Sequence, residues 1–459
     1  MNLRGHFRWI GPVLAVATGF LCDGADMPRS ATFTAAITVL CAMWWITEAL
    51  PIPVTSLVPL AAFPLLGVTS GKQVAVAYGH PMILLLLGGF ILSKAVESSG
   101  AHERLAIGMV RLFGRFGRRG LVLGFMSATA MCSMWISNSA TALMMLPVAA
   151  AVLAHEQKGD LAAPLMLGIA YAASIGGLGT PVGTPPNILC ISNFEKATGQ
   201  HIDFAEWMSI GVPVVIGMIP IAWWILMRKV ERGVAHPPPP VGTWRRAEIR
   251  VLIVFGLTAI AWIFRSVPSG GWVEWLGIPG AGEETVALTA VIACFLIPTG
   301  DGDGRHLLEW DVANEIPWGI LLLFAGGIAI ADAFETSGLS RVIGDHLVGV
   351  VGMGQVAVVA LLCLVVTFLT EVTSNTATTA LLMPILASAA LRAQVDPRLL
   401  MVPAALSASC AFMLPVATAP NAIVFGTGRV TIPQMARAGF RLNLAGVLVV
   451  GGVVLLRLG

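Results

Sequence analysis

The sequence predicts an all-α polytopic membrane protein with about 11 transmembrane segments, two re-entrant hairpins and inverted-topology repeats. Of its 459 residues, 56% are hydrophobic and only 11% are charged, whereas an ordinary soluble domain has roughly 25% charged residues. Apolar runs of about 20 residues, the length that crosses a bilayer, recur from end to end. Two further apolar segments are interrupted in the middle, and three short sequence blocks occur twice.

The apolar runs place the membrane spans in chain order. The first run follows Arg4 and Arg8 as a signal peptide would, but no small-residue cleavage site is evident and further spans follow at once, so we expect it to be retained. The predicted spans cover residues 9–23, 31–49, 54–69, 80–98, 161–190, 207–228, 249–265, 284–299, 317–336, 398–426 and 438–457.

Two segments, residues 121–154 and 355–392, are predicted to form the re-entrant hairpins. Each is interrupted by a Ser-Asn pair, Ser137-Asn138 in the first and Ser374-Asn375 in the second. Each half holds about 15 residues, or roughly 22 Å of helix, which is short of the roughly 30 Å hydrocarbon core. Irregular backbone at such a tip is stable only inside protein or beside water.

The distribution of Lys and Arg predicts a cytoplasmic amino terminus. If each hairpin returns to its own side, 19 of the 27 Lys and Arg residues lie on the cytoplasmic side, as the positive-inside rule requires. The first hairpin then opens to the cytoplasm and the second opens outward. We expect a multi-pass protein of a bacterial inner (plasma) membrane, in which residues 229–248 form a proline-rich cytoplasmic linker.

The two halves of the chain contain the same three blocks in the same order and at nearly the same separation. "GGFILSKAVESSG" (88–100) matches "GGIAIADAFETSG" (326–338), "SNSATALMMLP" (137–147) matches "SNTATTALLMP" (374–384), and "PVGTPPN" (181–187) matches "PVATAPN" (415–421). An odd number of predicted crossings separates the hairpins, so the repeats are inverted. Inverted repeats are typical of secondary transporters whose site lies where the repeats meet.

The hairpin tips contain many short neutral oxygens. Such groups, with carbonyls freed where a helix breaks, suit a weakly held hard cation such as sodium, and the exposed helix N-termini suit an anion. Helix-to-helix hydrogen bonding is the plainer role of these residue types, but their repetition at matched positions favours a site. The tip residues are Ser133, Ser137, Asn138 and Ser139 in one half and Thr370, Thr373, Ser374, Asn375 and Thr376 in the other.

The proline-broken sequences "GTPPN" and "ATAPN" are expected to present the carbonyl groups of Gly183 and Ala417, with Thr184 and Thr418 beside them. Acidic residues in apolar surroundings are functional candidates. Glu48 fits an interfacial or packing role as well as a functional one, and Glu371 could orient the second tip. The pattern assigns no role to Lys94 and Asp332, which carry opposite charges at equivalent positions of the repeats.

The seven cysteines lie in apolar segments without CxxC spacing or a histidine cluster, so neither disulfides nor zinc is expected.

On both Ser-Asn tips, on "WWITEALPIPVTSLVPLAAFPLLGV" and on "ASCAFMLPVATAPNAIVFGTG", the chain resembles the divalent anion/sodium symporters, a family that carries dicarboxylates, citrate or sulfate. The resemblance implies homodimers in which a scaffold holds the partners together and a transport domain moves like an elevator. It divides the chain into residues 1–120 (scaffold spans and an interfacial segment), 121–228 (first hairpin and transport-domain spans), the linker, 249–354 (scaffold) and 355–459 (second hairpin and transport-domain spans).

The resemblance also implies the site residues. Ser139 departs from the family pattern, because many members have Thr there, and this position bears on substrate choice. The implied substrate contacts are Ser137, Asn138, Ser139, Ser374, Asn375, Thr376 and Thr418. The implied sodium ligands are Ser133, Ser137, Asn138 and Gly183 at one site and Thr370, Thr373, Asn375 and Ala417 at the other.

The sequence therefore favours sodium-coupled symport of a C4-type dicarboxylate such as succinate, malate or fumarate. Within transport, a sodium-independent exchanger and a sulfate or citrate carrier are the alternatives. An intramembrane serine hydrolase is disfavoured because the nearest histidines, His155 and His346, lie beyond the hairpins, and a channel fits oppositely oriented tips less well. The expected partners are the dicarboxylate, co-transported sodium, membrane lipid and a second copy of the chain, with no organic cofactor, no nucleic acid and no enzymatic activity.

Overall fold

The computed structural model describes residues 3–24, 27–154, 156, 159–228, 230–231, 233–234, 242–266, 270–302, 304–342 and 354–459. These residues form helices and one isolated antiparallel bridge between Pro298 and His306, with no β-strand among them. The four consecutive prolines of the predicted linker lie outside the described residues, as do His155 and His346.

The helices of the first half begin near the amino terminus and end before the linker. They are α1 (Leu3–Asp23), α2 (Arg29–Thr47), α3 (Ile52–Ser56), α4 (Val58–Leu65), α5 (Gly71–Tyr78), α6 (Pro81–Ser99), α7 (Ala101–Gly114), α8 (Gly117–Ser133), α9 (Asn138–Leu153), α10 (Ala162–Gly177), α11 (Pro185–Thr198) and α12 (Phe204–Met227).

The helices of the second half follow the linker. They are α13 (Arg246–Ile263), α14 (Gly271–Trp275), α15 (Glu283–Leu296), α16 (Trp310–Ala313), α17 (Trp318–Thr336), α18 (Gln355–Leu369), α19 (Asn375–Arg392), α20 (Arg398–Ala408), α21 (Ala419–Gly426) and α22 (Ile432–Leu458).

Each segment predicted to form a hairpin is a pair of helices broken at its Ser-Asn pair, and the re-entrant course of the two pairs stays a prediction. The first consists of α8 and α9 and the second of α18 and α19. Ser137 and Ser374 take extended backbone conformations ahead of α9 and α19, and each hydroxyl accepts a hydrogen bond from the backbone N–H three residues on. The breaks therefore fall where the sequence supplies an N-cap residue.

Two long spans predicted from apolar runs are each two separate helices. Residues 161–190 contain the whole of α10 and only the start of the next helix, because α10 stops at Gly177 and α11 runs from Pro185 to Thr198. Residues 398–426 likewise divide into α20 and α21. A proline in the first turn of α11 and of α21 begins the second helix in each case.

Five helical segments of the described chain are long and apolar enough to cross a membrane by length and composition, namely 29–47, 71–99, 204–227, 318–336 and 432–458. Shorter apolar helices of 10–17 residues accompany them. A membrane span that is broken in the middle consists of two short helices, and neither of them is long enough to be counted as a span by itself. The predicted number of about 11 spans stays a prediction.

The core of the molecule is built from the broken helices of both halves. Every residue from Leu165 to Gly177 in α10, and from Leu399 to Ala408 in α20, is buried. The second arm of each hairpin packs against the proline-broken helix of the other half, α9 against α21 and α19 against α11. This exchange brings the two hairpin tips and the two breaks together.

Candidate functional site

A central cavity of about 490 Å³ lies where the two hairpin tips meet the two proline breaks. Its volume falls in the range of pockets that hold small molecules. All seven predicted substrate contacts line it, from Ser137 to Ser139, from Ser374 to Thr376, and Thr418. Residues in α6 and at the ends of α2 and α17 close the other walls, including Glu48, Phe90, Ser93, Pro317 and Ile320.

The N-termini of two helices face this cavity from the two halves of the chain. Ser137 Oγ accepts from the N–H of Ala140 (3.3 Å), and Ser374 Oγ accepts from the N–H of Ala377 (3.5 Å). The remaining N–H groups of each first turn have no carbonyl partner within the helix. Two positive helix ends aimed at one cavity form a setting suited to an anion with two negative groups.

Behind the first tip, oxygen atoms converge around Asn138. Ser133 Oγ lies 2.7 Å from Asn138 Oδ1 and 2.7 Å from the carbonyl oxygen of Ala173. Gly177 and Gly183 complete this first cation cluster, because a Cβ on Gly177 would lie 2.8 Å from Asn138 Oδ1 and 3.1 Å from the carbonyl oxygen of Gly183. The predicted ligands Ser133, Asn138 and Gly183 are therefore neighbours in space.

The second tip repeats this arrangement with different residues. Thr370 Oγ1 lies 2.6 Å from Asn375 Oδ1 and 2.7 Å from the carbonyl oxygen of Ala408. Thr373 Oγ1 donates to the carbonyl of Leu369 (2.9 Å) and lies 2.7 Å from the hydroxyl oxygen of Thr378. Ala417 lines the cavity beside Thr418. We call this group the second cation cluster.

The two clusters share a chemical property that favours a cation. The hydroxyl of Ser133 and that of Thr370 each have one proton but two oxygen neighbours at hydrogen-bond distance. Each hydroxyl can therefore donate to only one of its two oxygen neighbours. Neutral hydroxyl, amide and carbonyl oxygens gathered in this way suit a hard cation rather than a transition metal, and no group of His, Cys, Asp and Glu in the described chain could hold a metal ion.

Both proline breaks are held open by an asparagine at the equivalent position. Asn187 Nδ2 donates to the carbonyls of Gly177 (2.9 Å) and Thr180 (2.8 Å). Asn421 Nδ2 donates to the carbonyls of Ala411 (3.1 Å) and Leu414 (3.0 Å). The pairing of the two Pro-Asn blocks read from the sequence thus relates two matching sets of hydrogen bonds.

The structure separates the predicted site residues into two groups. The predicted substrate contacts, together with Gly183, Thr373 and Ala417, line the cavity. Ser133 and Thr370 have no exposed surface and lie behind the tips. The two threonines beside the breaks also reach the cavity, and Thr418 Oγ1 caps α21 by accepting from the N–H of Asn421 (3.3 Å).

Several site features were not predicted from the sequence. The carbonyl oxygens of Ala173 and Ala408 belong to the clusters, but a backbone oxygen leaves no signature in residue type. Glu48, for which the sequence left two roles open, lines the cavity and takes a left-handed conformation (φ 48°). A non-glycine residue at positive φ marks a place where the surroundings hold the backbone under strain.

Lys94 and Asp332, which the sequence left without a role, both form ion pairs. Lys94 Nζ lies 3.3 Å from Glu97 and 3.2 Å from Glu315. Asp332 pairs with Lys196 of α11. Of the two equivalent repeat positions, Lys94 is therefore the cation of an ion pair and Asp332 is the anion of another.

The chain is similar in sequence and in fold to known proteins. The profile of the family described as citrate transporter matches residues 42–401. The sodium-dependent dicarboxylate transporter SdcS of Staphylococcus saprophyticus is 39% identical, with 97% of this chain and 89% of that protein aligned. SdcS of Staphylococcus aureus is 38% identical, with 96% and 88% aligned. The solved structure of the YdaH transporter of Alcanivorax borkumensis has a similar fold, with a TM-score of 0.61, 14% identity, and 84% of this chain and 88% of that chain covered.

Proposed function

The chain belongs to the citrate transporter family, as its resemblance to the divalent anion/sodium symporters predicted, and we propose that it is a sodium-coupled symporter of C4-type dicarboxylates such as succinate, malate and fumarate. The observation that carries the proposal is the pairing of two helix N-termini around one cavity, with a cluster of neutral oxygens behind each. The names of the two aligned staphylococcal relatives support both the cation and the substrate class.

Electrostatics explains why sodium and the dianion would bind together. The described residues that line the cavity include no Lys, Arg or His, and Glu48 adds a negative charge. Helix ends carry only about half an elementary charge each. Cations in the two clusters would supply the missing positive charge, and at low local dielectric this attraction is much stronger than in water. A dicarboxylate would therefore bind weakly until sodium is present.

We assign the ligands as the resemblance implies. One carboxylate of the substrate would meet Ser137, Asn138 and Ser139, and the other would meet Ser374, Asn375 and Thr376, with Thr418 at the side. Sodium would bind Ser133, Ser137, Asn138 and Gly183 in the first cluster and Thr370, Thr373, Asn375 and Ala417 in the second. Ser139 lacks the methyl group of its counterpart Thr376, and we propose that the extra space there tunes which anion is preferred.

A second cavity of about 700 Å³ adjoins the site and supports an inward-facing state. It shares Ser137, Ser139 and Pro317 with the central cavity. Its outer wall contains Lys94 and Glu315, and the positive-inside assignment places Lys94 on the cytoplasmic side. We propose that the site opens to the cytoplasm through this second cavity.

Transport by an elevator movement is the mechanism that we propose for the change of access. Residues 121–228 and 355–459 would move as the transport domain, and residues 1–120 and 249–354 would form the scaffold of a homodimer. The packing of α9 against α21 and of α19 against α11 supports this division, since all four helices would move together.

Ion pairs at the end of α11 connect the two proposed domains. Lys196 of α11 pairs with Asp332 of α17. His201 Nδ1 lies 3.1 Å from Glu195, and its Nε2 lies 3.9 Å from Glu283 of α15, an ion-pair distance. Burial lowers the pKa of His201, but the two carboxylates outweigh burial and raise this pKa to about 10. The imidazolium therefore stays charged at neutral pH, and the pairing weakens only as the pH rises towards that value.

Uptake of labelled succinate into proteoliposomes tests the proposed function. We expect an inward sodium gradient to raise uptake about tenfold or more over an equal choline gradient, because losing one cation contact of about 1.4 kcal/mol already changes affinity tenfold. Malate and fumarate should compete, and lactate should not. Equal uptake in sodium and choline would contradict symport, and stronger competition by citrate or sulfate than by fumarate would reassign the substrate.

A further inference from the structure

Glu371, which directly follows Thr370, is a buried carboxylate that the proposed binding of substrate and sodium does not use. Its residue surface is 4% exposed. Its two oxygens accept hydrogen bonds from the backbone N–H groups of Phe412 (2.8 Å), Met413 (2.9 and 3.1 Å) and Leu414 (3.1 Å). The side-chain amide of Asn443 in α22 donates a further bond (2.7 Å). All these partners are donors, an arrangement that suits an ionised carboxylate, which only accepts.

The loop that Glu371 binds is the break that carries Ala417. This break, residues 409–418, joins α20 to α21. Glu371 binds the N–H groups on one side of the loop, and Asn421 binds the carbonyls of Ala411 and Leu414 on the other. Because Glu371 belongs to the hairpin tip, it joins the tip to the break and so sets the position of Ala417 relative to Thr370.

The first half builds the equivalent loop without a charge. The alignment of the two Ser-Asn tips places Met134 opposite Glu371, and a Cβ on Gly179 would lie 2.8 Å from the Cε of Met134. The N–H groups of Leu178 and Gly179 donate instead to carbonyls at the end of α10, at 3.1 and 3.0 Å. Met134 therefore occupies the place of the carboxylate.

The side chain that binds Glu371 from α22, Asn443, also has an apolar counterpart in the first half. A Cβ on Gly211 would lie 2.4 Å from the carbonyl oxygen of Leu178, and a Cβ on Gly439 would lie 2.2 Å from that of Phe412. Because each glycine lies against the backbone of the equivalent loop, α12 and α22 correspond to one another in the two halves. Val215 then stands opposite Asn443, since each follows its glycine by about one helical turn. The pair Met134 and Val215 thus corresponds to the pair Glu371 and Asn443.

We propose that Glu371 is a positioning residue of the second cation cluster, and that its buried charge and loop contacts make this cluster bind sodium more tightly than the first. The proposal rests on the proposed function, because it concerns the same cation sites. A buried carboxylate on the residue next to Thr370 acts on a cation in this cluster through a dielectric lower than that of water. It also fixes the backbone that presents Ala417, so less ordering remains to be done when sodium binds.

The test compares Glu371→Gln with the double variant Glu371→Met/Asn443→Val, which copies the apolar pair of the first half. Glutamine keeps the shape but places an NH₂ group against backbone donors. The double variant removes both buried polar side chains. We expect the freed N–H groups of residues 412–414 to turn to carbonyls at the end of α20, as Leu178 and Gly179 do at the end of α10, and thermal unfolding checks that the variant is folded. For each, sodium binding without substrate is measured by calorimetry, and the sodium dependence of succinate uptake is measured in proteoliposomes.

In the parent protein we expect two sodium affinities that differ about tenfold or more. Both Glu371 variants should lose the tighter affinity, and the sodium concentration for half-maximal uptake should rise about tenfold, with the succinate affinity at saturating sodium nearly unchanged. Asn443→Val alone leaves the backbone bonds of Glu371 in place. It should raise the sodium concentration for half-maximal uptake by only about two- to threefold.

Parental sodium affinities in the double variant would overturn the proposal, since Glu371 would then only fill space. A single sodium affinity in the parent would overturn it as well, and this measurement does not depend on any variant folding. Failure of the proposed function is a distinct result, because it appears in the parent as uptake that is independent of sodium.

Discussion

Asn138→Ala or Asn375→Ala is expected to abolish sodium-driven dicarboxylate uptake while leaving a folded protein. Each amide stands between a cation cluster and the cavity, and its Oδ1 lies 2.7 or 2.6 Å from the hydroxyl of Ser133 or Thr370. Removing it leaves the hydroxyl bound to the carbonyl of Ala173 or Ala408, but it takes away one assigned contact to each ion, and a polar contact to a charged group is worth about 1.5–3 kcal/mol. Because each asparagine is assigned to both ions, the losses in sodium and substrate affinity multiply.

Asn193→Ala is the matched control for these two variants. Asn193 is a buried asparagine of α11 whose Nδ2 donates to the carbonyl of Leu189 (2.8 Å), and it does not line the central cavity. The three variants are compared by uptake and by thermal unfolding. Near-normal uptake in Asn138→Ala or Asn375→Ala would remove that residue from the site, and loss of uptake in all three would indicate a general packing defect.

Gly177→Ala is expected to disable the first cation cluster with a single methyl group. The added carbon would lie 2.8 Å from Asn138 Oδ1 and 3.1 Å from the carbonyl oxygen of Gly183, so at least one predicted ligand must move. A cation site depends on ligand positions to within a few tenths of an ångström. We expect a loss of uptake of about tenfold or more at a sodium concentration that saturates the parent.

The control for Gly177→Ala is Gly452→Ala in α22, where nothing lies within 4 Å of the added Cβ. The second half offers a further comparison, because the residue equivalent to Gly177 is Ala411. The break of the second half therefore accommodates a methyl group that the first does not. Parental sodium dependence in Gly177→Ala would show that the first cluster has room to spare and does not hold the cation as proposed.

The positions of the helix breaks could be predicted from the sequence because local chemistry determines them. Ser137 and Ser374 are N-cap residues, and the prolines that follow Thr184 and Thr418 begin new helices. The repeated sequence blocks also indicate which tip of one half corresponds to which tip of the other, and likewise for the breaks. The hydrogen bonds of Asn187 and Asn421, which match one another, follow that same pairing.

The rest of the site depends on contacts between residues far apart in the chain. The carbonyls of Ala173 and Ala408 reach the clusters only because α10 and α20 end there. Glu371 was a candidate for orienting the second tip, but its partners at residues 412–414 and at Asn443 are 41 or more residues away. Gly177 gives no signal in a glycine-rich chain until the atoms around its missing Cβ are known.

Binding of succinate to the purified protein, measured at low and high sodium with choline keeping the ionic strength constant, decides whether sodium and the dicarboxylate bind cooperatively. If cations in the two clusters supply the positive charge that the cavity lacks, succinate must bind about tenfold or more tightly at high sodium, and succinate must tighten sodium binding by the same factor. A succinate affinity that is the same in sodium and in choline would show that cations in the two clusters do not supply this charge.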